Sequence, residues 1–572
     1  MVVLVSRRSS RSAGNDLFKW ARWRGPHDCR TVGSMPIIIE EPSRGTWRLR
    51  REQWQANHVD PVISVGYAKY WGNASLPGVH FFGAIPYAQP PLGNLRFRRP
   101  QTVDESSKTD GIIDSRNWGP ICLQQPATVG IGSEDCLTLN IWKPPMADKT
   151  SQLPVFVYIH SAQGFPMNDW IPQSNGSVIA VSIQYRLGLL GFLASSEVAN
   201  DGDLNVGLLD QRAALGWINR NIGNFGGDPN HVTIAGESSG GADVVFHLLA
   251  YGGKQSLVQG AIAQSIGTDP IYTSEEYQAC FDGVVRSAGC GNSGNVLSCL
   301  RGASLGAVVS AVNNRGTCKF GPVIDGEFVR ELPSRLIPNI PLTSSPVHFM
   351  AGHTTNDGSI FVGPPSNLEN DTVGFVRAIT NRYTKLSNAT LEAMIALYPE
   401  NEFSSQWERV TTAFADTVFA CQDWLIAKTI SMSNSSISKN VYNYRFNTPD
   451  PVQLAAAPWK GVMHTSELFF LFDGTNSGPS SSNALGAFVP FTPAQRPLAT
   501  ETIARWTSFA RFFDPNVGVN STVHWPPIRR SAARLVLQQG DSAGTSSFVE
   551  DIDAKHDRRC AFWNAVGNET RI

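Results

Sequence analysis

The chain has 572 residues, 42% of them hydrophobic, enough for a large core. Its 47 basic and 48 acidic residues leave a net charge of −1, so no overall basic field favours nucleic acid or an anionic membrane. No apolar run reaches the ~18 residues of a membrane helix, and neither repeat nor low-complexity tract is present.

Residues 1–60 are expected to be a disordered extension or a mis-assigned N-terminus. Residues 1–30 carry seven basic side chains, from Arg7 to Arg30, against Asp16 and Asp28. The run Met1–Val5 is too short for the apolar core of a signal peptide. Order is expected from about Pro61. Strand-like runs follow at Val155–Ile159, Val178–Tyr185, Val232–Ala235, Ala261–Ala263 and Val347–Ala351. Between the second and third lies LLDQRAALGWINRNIGNF, residues 208–225. Leu208, Leu209, Ala213, Leu215, Trp217, Ile218 and Ile222 give it a helical apolar face. Leu391–Leu397 and Thr500–Phe513 also read as helices. Strands alternating with helices predict a mostly parallel sheet covered on both faces, in one α/β unit over residues 61–565 with a tail at 566–572.

The most informative stretch is FGGDPNHVTIAGESSGGADVVFHLLA, Phe225 to Ala250. A strand runs into Gly236-Glu237-Ser238-Ser239-Gly240 and then into a helix. This is G-x-S-x-G in its meaningful context, a sharp strand–turn–helix that exposes a serine hydroxyl. Ser238 is the candidate nucleophile. The N–H of Ser239, at the helix N-terminus, is a candidate oxyanion donor.

Several separated motifs resemble the type-B carboxylesterases, a family that includes cholinesterases and fungal lipases. Residues 225–240 are similar to the family's serine signature, and EDCLTLNIWKP, Glu134 to Pro144, to its second one. FFGAIPYAQPPLGNLRFRRP (Phe81–Pro100), YRLGLLGFL (Tyr185–Leu193) and residues 205–229 also match. The resemblance implies the α/β-hydrolase fold and carboxylic-ester hydrolysis, with no metal or cofactor.

A serine hydroxyl needs a base, and the base needs an orienting acid; in this fold they follow in the order serine, acid, histidine. His464, in KGVMHTSELFFLF, matches the family's catalytic-histidine motif. Asp357, in AGHTTNDGSIF, occupies the acid position, where the family more often has glutamate. Ser265 resembles a family serine that supports the site, and Glu237 also matches the family. The substrate expected is a small-molecule ester. No nucleic-acid partner or transmembrane segment is expected, and oligomeric state is left open.

Nine cysteines and seven N-x-S/T sequons (Asn73, Asn175, Asn370, Asn388, Asn434, Asn520, Asn568) point to a secreted, disulfide-bonded glycoprotein. The resemblance pairs Cys122 with Cys136, Cys290 with Cys299, and Cys421 with Cys560. Cys280 and Cys318 are left as a further candidate pair; Cys29 lies outside the matching region. The loop closed by Cys122 and Cys136 has an interior of 13 residues and no aromatic side chain. In cholinesterases it is longer and carries a tryptophan that binds quaternary ammonium. In the fungal lipases it is a long interfacial flap. Its brevity here argues against both specialisations and for soluble or short-to-medium acyl esters.

One motif departs from the family. After the strand Val155–Ile159 the family has a glycine-rich loop, often H-G-G-G, whose N–H groups complete the oxyanion hole. Here His160 is followed by Ser161-Ala162-Gln163-Gly164. Either the loop is substituted and Ala162 and Gln163 donate, or several residues are missing after His160. The second alignment is favoured, because only 17 residues lie between His160 and Val178. Two rival readings therefore stand beside the esterase: a catalytically impaired, cholinesterase-like binding protein, and an amide or lactone hydrolase using the same triad.

Overall fold

The computed structural model describes residues 59–572, apart from 107, 110, 125, 161–164, 254–256, 315, 317, 340–346, 370, 433–439, 473, 477–486 and 530–531. Its framework is an 11-stranded sheet. In chain order the strands are β1 (Asn73–Leu76), β2 (Val79–Pro86), β3 (Thr138–Lys143), β4 (Leu153–Ile159), β5 (Ile179–Ile183), β6 (Gly227–Glu237), β7 (Gly260–Gln264), β8 (His348–Thr354), β9 (Val441–Phe446), β10 (Ala533–Leu537) and β11 (Phe548–Asp551). Across the sheet they run β11-β10-β9-β8-β7-β6-β4-β5-β3-β2-β1. From β5 to β10 the pairing is parallel. β3, β2 and β1 at one edge and β11 at the other pair antiparallel.

The central strands are apolar because both their faces are covered. On β4, Val155, Val157 and Ile159 enter one core and Phe156 and Tyr158 the other. On β5, Ile179, Val181 and Ile183 face the first core and Ala180 the second. The period-2 geometry of a strand makes this division. Both cores draw on helices. The first receives α1 (Val206–Asn221) through Leu208, Leu215, Trp217 and Ile218, and α2 (Ser239–Gly253) through Val244, Leu248 and Leu249. α3 (Cys421–Met432) joins it through Trp424 and Ile430. The second receives α4 (Ser466–Leu471) and α5 (Arg496–Phe512), whose Phe469, Ile503, Trp506 and Phe509 are fully buried.

The expected strands and helices are present with shifted ends. The helix read over 208–225 is α1, tightened into a 3₁₀ turn at Ile222–Phe225. The segment that follows residues 161–164 packs firmly. Phe165 stacks on Phe472 and meets Tyr158 edge-on, and Trp170 Nε1 donates to Leu471 O at 2.8 Å. Residues 1–58, including Cys29, lie outside the described residues.

Among the described residues four disulfides are formed: Cys122–Cys136, Cys280–Cys318, Cys290–Cys299 and Cys421–Cys560. The last ties α3 to α6 (Ala554–Ala565) across 139 positions of sequence. Among the described residues, no single helix is long and apolar enough to cross a membrane.

Candidate active site

Ser238 follows directly on β6 and precedes α2. Its φ is +58°, in the left-handed region, a conformation that costs a non-glycine residue about 1–3 kcal/mol. Main-chain bonds hold it there: Ser238 N–H donates to Gln264 O, and Ser238 O accepts from Ala242 and Gly267 N–H, each at 3.0 Å. The turn is this sharp because α2 lies almost on β4. A Cβ on Gly240 would stand 2.2 Å from Ile159 O, so only glycine fits. Ser239 is the first residue of α2, and its N–H belongs to the group that finds no acceptor inside a helix.

Asp357 lies just past β8 and is fully buried. Its Oδ2 accepts from Ser265 Oγ at 2.7 Å and Thr354 N–H at 3.1 Å. Its Oδ1 faces His464 Nδ1 at 2.6 Å. With the carboxylate as acceptor, this contact requires the imidazole proton on Nδ1, the tautomer whose Nε2 keeps a lone pair. Nε2 makes no hydrogen bond among the described residues. It sits 3.2 Å from Glu237 Oε1 without hydrogen-bond alignment.

The loops bearing acid and histidine are clamped together by Asn356. Its N–H donates to Val462 O, and its Oδ1 accepts from Val462 N–H, both at 2.9 Å. Phe419 closes the remaining side. Its ring is 4.5 Å from the His464 ring, centre to centre. Gly267 faces both Phe419 and Ser238: a Cβ there would lie 3.2 Å from the Phe419 ring and 3.1 Å from Ser238 Oγ. Phe419 belongs to a π-helical turn, Asp416–Ala420, an irregularity that re-aims side chains near functional sites.

Two further carboxyls lie in this buried region. Burial, then the charge on Asp357, pushes Glu237 well above the usual carboxylate range. Glu467, three residues beyond His464 on α4, is pushed up to about 8 by burial and then by Glu237 and Asp357. Burial thus favours the neutral form of both carboxyls. Gln264 Nε2 donates to Glu467 Oε1 at 3.3 Å.

The profile of the "Carboxylesterase family" matches residues 65–563. The chain belongs to the carboxylesterase family. It is therefore a carboxylic ester hydrolase by lineage. Lipase 2 of Geotrichum candidum is 28% identical over 526 residues, spanning 78% of this chain and 87% of that protein. Acetylcholinesterase of Bungarus fasciatus is 28% identical over 528 residues, spanning 85% and 82%. The crystal structure of Aspergillus niger EstA superposes with a TM-score of 0.78 at 30% identity, covering 90% of this chain and 99% of that one. The α/β-hydrolase fold follows from both the topology and this match.

Of the residues singled out in the sequence of this carboxylesterase, Asp357 contacts both His464 and Ser265, and Glu237, next to Ser238 in the chain, lies 3.2 Å from His464 Nε2. Ala162 and Gln163 lie outside the described residues. His160, at the end of β4, is buried with its ring 5.0 Å from that of Tyr185, and Tyr185 Oη donates to His160 O. Burial lowers its imidazole to about 4, so His160 is a neutral group at the strand end. Asn356, Gly267 and Phe419 were missed. Asn356 adjoins the acid in sequence, the one local signal; Gly267 and Phe419 are read only from three-dimensional contacts.

A cavity of about 130 Å³ opens beside the serine turn. Ser239 and Gly267 bound it, with Phe246, Ile271, Tyr272 and Phe320 among the apolar lining. Phe361, 47% exposed, packs 5.2 Å from the His464 ring. The Cys122–Cys136 loop is pinned from outside by Arg96, which forms a buried bidentate pair with the loop's Glu134 at 2.7 Å.

Proposed function

We propose that this carboxylesterase hydrolyses non-choline carboxylic esters by two-step acyl transfer at Ser238. His464 Nε2 takes the proton from Ser238 Oγ as the oxygen attacks the ester carbonyl. The tetrahedral intermediate collapses, the alcohol leaves with that proton, and the acyl group remains on Ser238. Water, deprotonated by His464, then attacks the acyl-enzyme and releases the acid. Asp357 orients the imidazole and stabilises its charged form; Ser265 and Thr354 position Asp357. Ser239 N–H is the oxyanion donor assigned within the described residues, with further donors expected from residues 162 and 163.

The observation that carries this reading is the Asp357–His464 contact at 2.6 Å, with the acid's other oxygen fully occupied. A carboxyl satisfied on one side and aimed at a single imidazole nitrogen supports general-base catalysis better than a purely structural role. The short, aromatic-free Cys122–Cys136 loop supports soluble, non-choline esters over quaternary ammonium or oil-droplet substrates. The four disulfides support an extracellular setting, and sequons at exposed Asn175, Asn388, Asn520 and Asn568 support glycosylation.

The deciding experiment is stopped-flow release of p-nitrophenol from p-nitrophenyl butyrate. A burst equal to the enzyme concentration in wild type, absent in Ser238→Ala, is expected. Failure of an organophosphate to label Ser238, together with no burst, would leave the binding-protein alternative.

A further inference from the structure

Residues 566–572 are folded back against the domain. Gly567–Thr570 form a helical turn, Ile271 N–H donates to Arg571 O at 2.8 Å, and Ser334 N–H donates to Ile572 O at 3.1 Å. Ile572 is only 2% exposed and lines the same cavity as Ser239 and Gly267. The residues that hold the segment are themselves at the cavity: Ile271 lines it, and so does Pro333, next to Ser334. Ile572 is thus fixed by main-chain bonds to the wall it completes.

We propose that Ile572 is a specificity-determining residue whose side chain limits the length of the acyl group this enzyme accepts. The inference rests on Ser238 as nucleophile. In acyl transfer the acyl group stays on the serine through both half-reactions, while the alcohol leaves after the first. The arm that stays needs permanent room beside the nucleophile. Gly267, whose missing Cβ would crowd Ser238 Oγ, opens that room, and the cavity continues from Gly267 to Ile572. The lining is mainly apolar, which suits a hydrocarbon chain, and its small volume suits a short one. Discrimination between acyl groups then follows from whether each added methylene finds space or meets Ile572.

The test uses the full-length enzyme and two substrate series: p-nitrophenyl esters from acetate to laurate, and acetates of alcohols of increasing length. Ile572→Ala is expected to raise kcat/KM for octanoate relative to acetate by about tenfold, and Ile572→Phe to lower it by a similar factor. Ile572→Val, a milder change, should move the ratio in the same direction as Ala by less. The alcohol series should keep its wild-type profile in all three. Opposite shifts for Ala and Phe cannot come from general loosening of the fold, which would lower all rates together. An unchanged acyl ratio, shifts of the same sign for Ala and Phe, or a shift confined to the alcohol series would overturn the proposal. Turnover surviving in Ser238→Ala would instead remove the nucleophile assignment, and the proposal with it.

Discussion

Ser265 Oγ donates to Asp357 Oδ2 at 2.7 Å, on the side of the carboxyl opposite His464. Ser265 stands at the end of β7 with φ +42°, and its own N–H donates to Gly352 O on the neighbouring strand. The acid is therefore aimed by two adjacent strands. Loss of one hydrogen bond to a charged group costs about 1.5–3 kcal/mol. Ser265→Ala is expected to lower kcat by about tenfold to a hundredfold with KM nearly unchanged. Asp357→Asn, which permits the wrong tautomer, should cost about 10⁴. Steady-state kinetics on p-nitrophenyl butyrate would separate the two, and equal losses would contradict a positioning role for Ser265.

Gly267→Ala tests the approach to the nucleophile. The added methyl would lie 3.1 Å from Ser238 Oγ and 3.2 Å from the Phe419 ring, closer than nearly all real Cβ contacts. Crowding at a reacting atom is expected to cut kcat/KM by about 10²-fold. Thermal unfolding should change little, because the clash is with groups at a cavity edge. A variant with wild-type turnover would count against Ser238 as the attacking group.

Glu467 makes stability depend on pH in a stated direction. Its folded-state pKa of about 8 lies above the 4.5 of an ordinary glutamate. Below pH 4.5 both states carry the proton and the contribution to stability is complete. From 4.5 to 8 the unfolded chain releases the proton while the folded one keeps it, so stability falls as pH rises. Glu467→Gln cannot ionise and keeps an acceptor for Gln264. The difference in Tm between variant and wild type is expected to move in favour of the variant between pH 5 and 8. A constant difference would mean that Glu467 is ionised in the folded protein.

The Cys421–Cys560 bond closes the longest of the four loops, with a sequence separation of 139. On loop-entropy grounds its removal should cost about 4–5 kcal/mol. Cys421 directly follows the π-helical turn that carries Phe419. Replacing both cysteines by serine is expected to shorten the half-life at elevated temperature. Turnover should also fall, as Phe419 loses its support against His464. Loss of stability with full activity would show that the turn holds without the bond.

The central strands were legible because each is buried on both faces, as the divided apolar side chains of β4 and β5 show. The edges were not. β2 contains Gly83 and Pro86 and shifts register against β3, while β11 is only four residues long and mostly exposed, so neither follows the pattern of a regular central strand. Ser238, Asp357 and His464 could be singled out as candidates from local context and resemblance, since each sits in its own recognisable segment. Phe419 was not, because its role comes from a π-helical turn that meets Gly267 and His464 from distant parts of the chain. Asn356 carries no motif of its own; its paired bonds to Val462 reveal that it ties the Asp357 loop to the His464 loop.

His160, Ser238, Ser265 and Asp357 all stand at or just beyond the same ends of four neighbouring parallel strands, β4, β6, β7 and β8. The chain between those ends wanders far: over 80 residues separate β7 from β8. Such excursions can lengthen, shorten or be exchanged while the strand ends stay in place. The sheet thus acts as a fixed chassis for transplantation. Borrowing an excursion from a relative of the same fold should retarget this enzyme to new esters more readily than reshaping the strand ends.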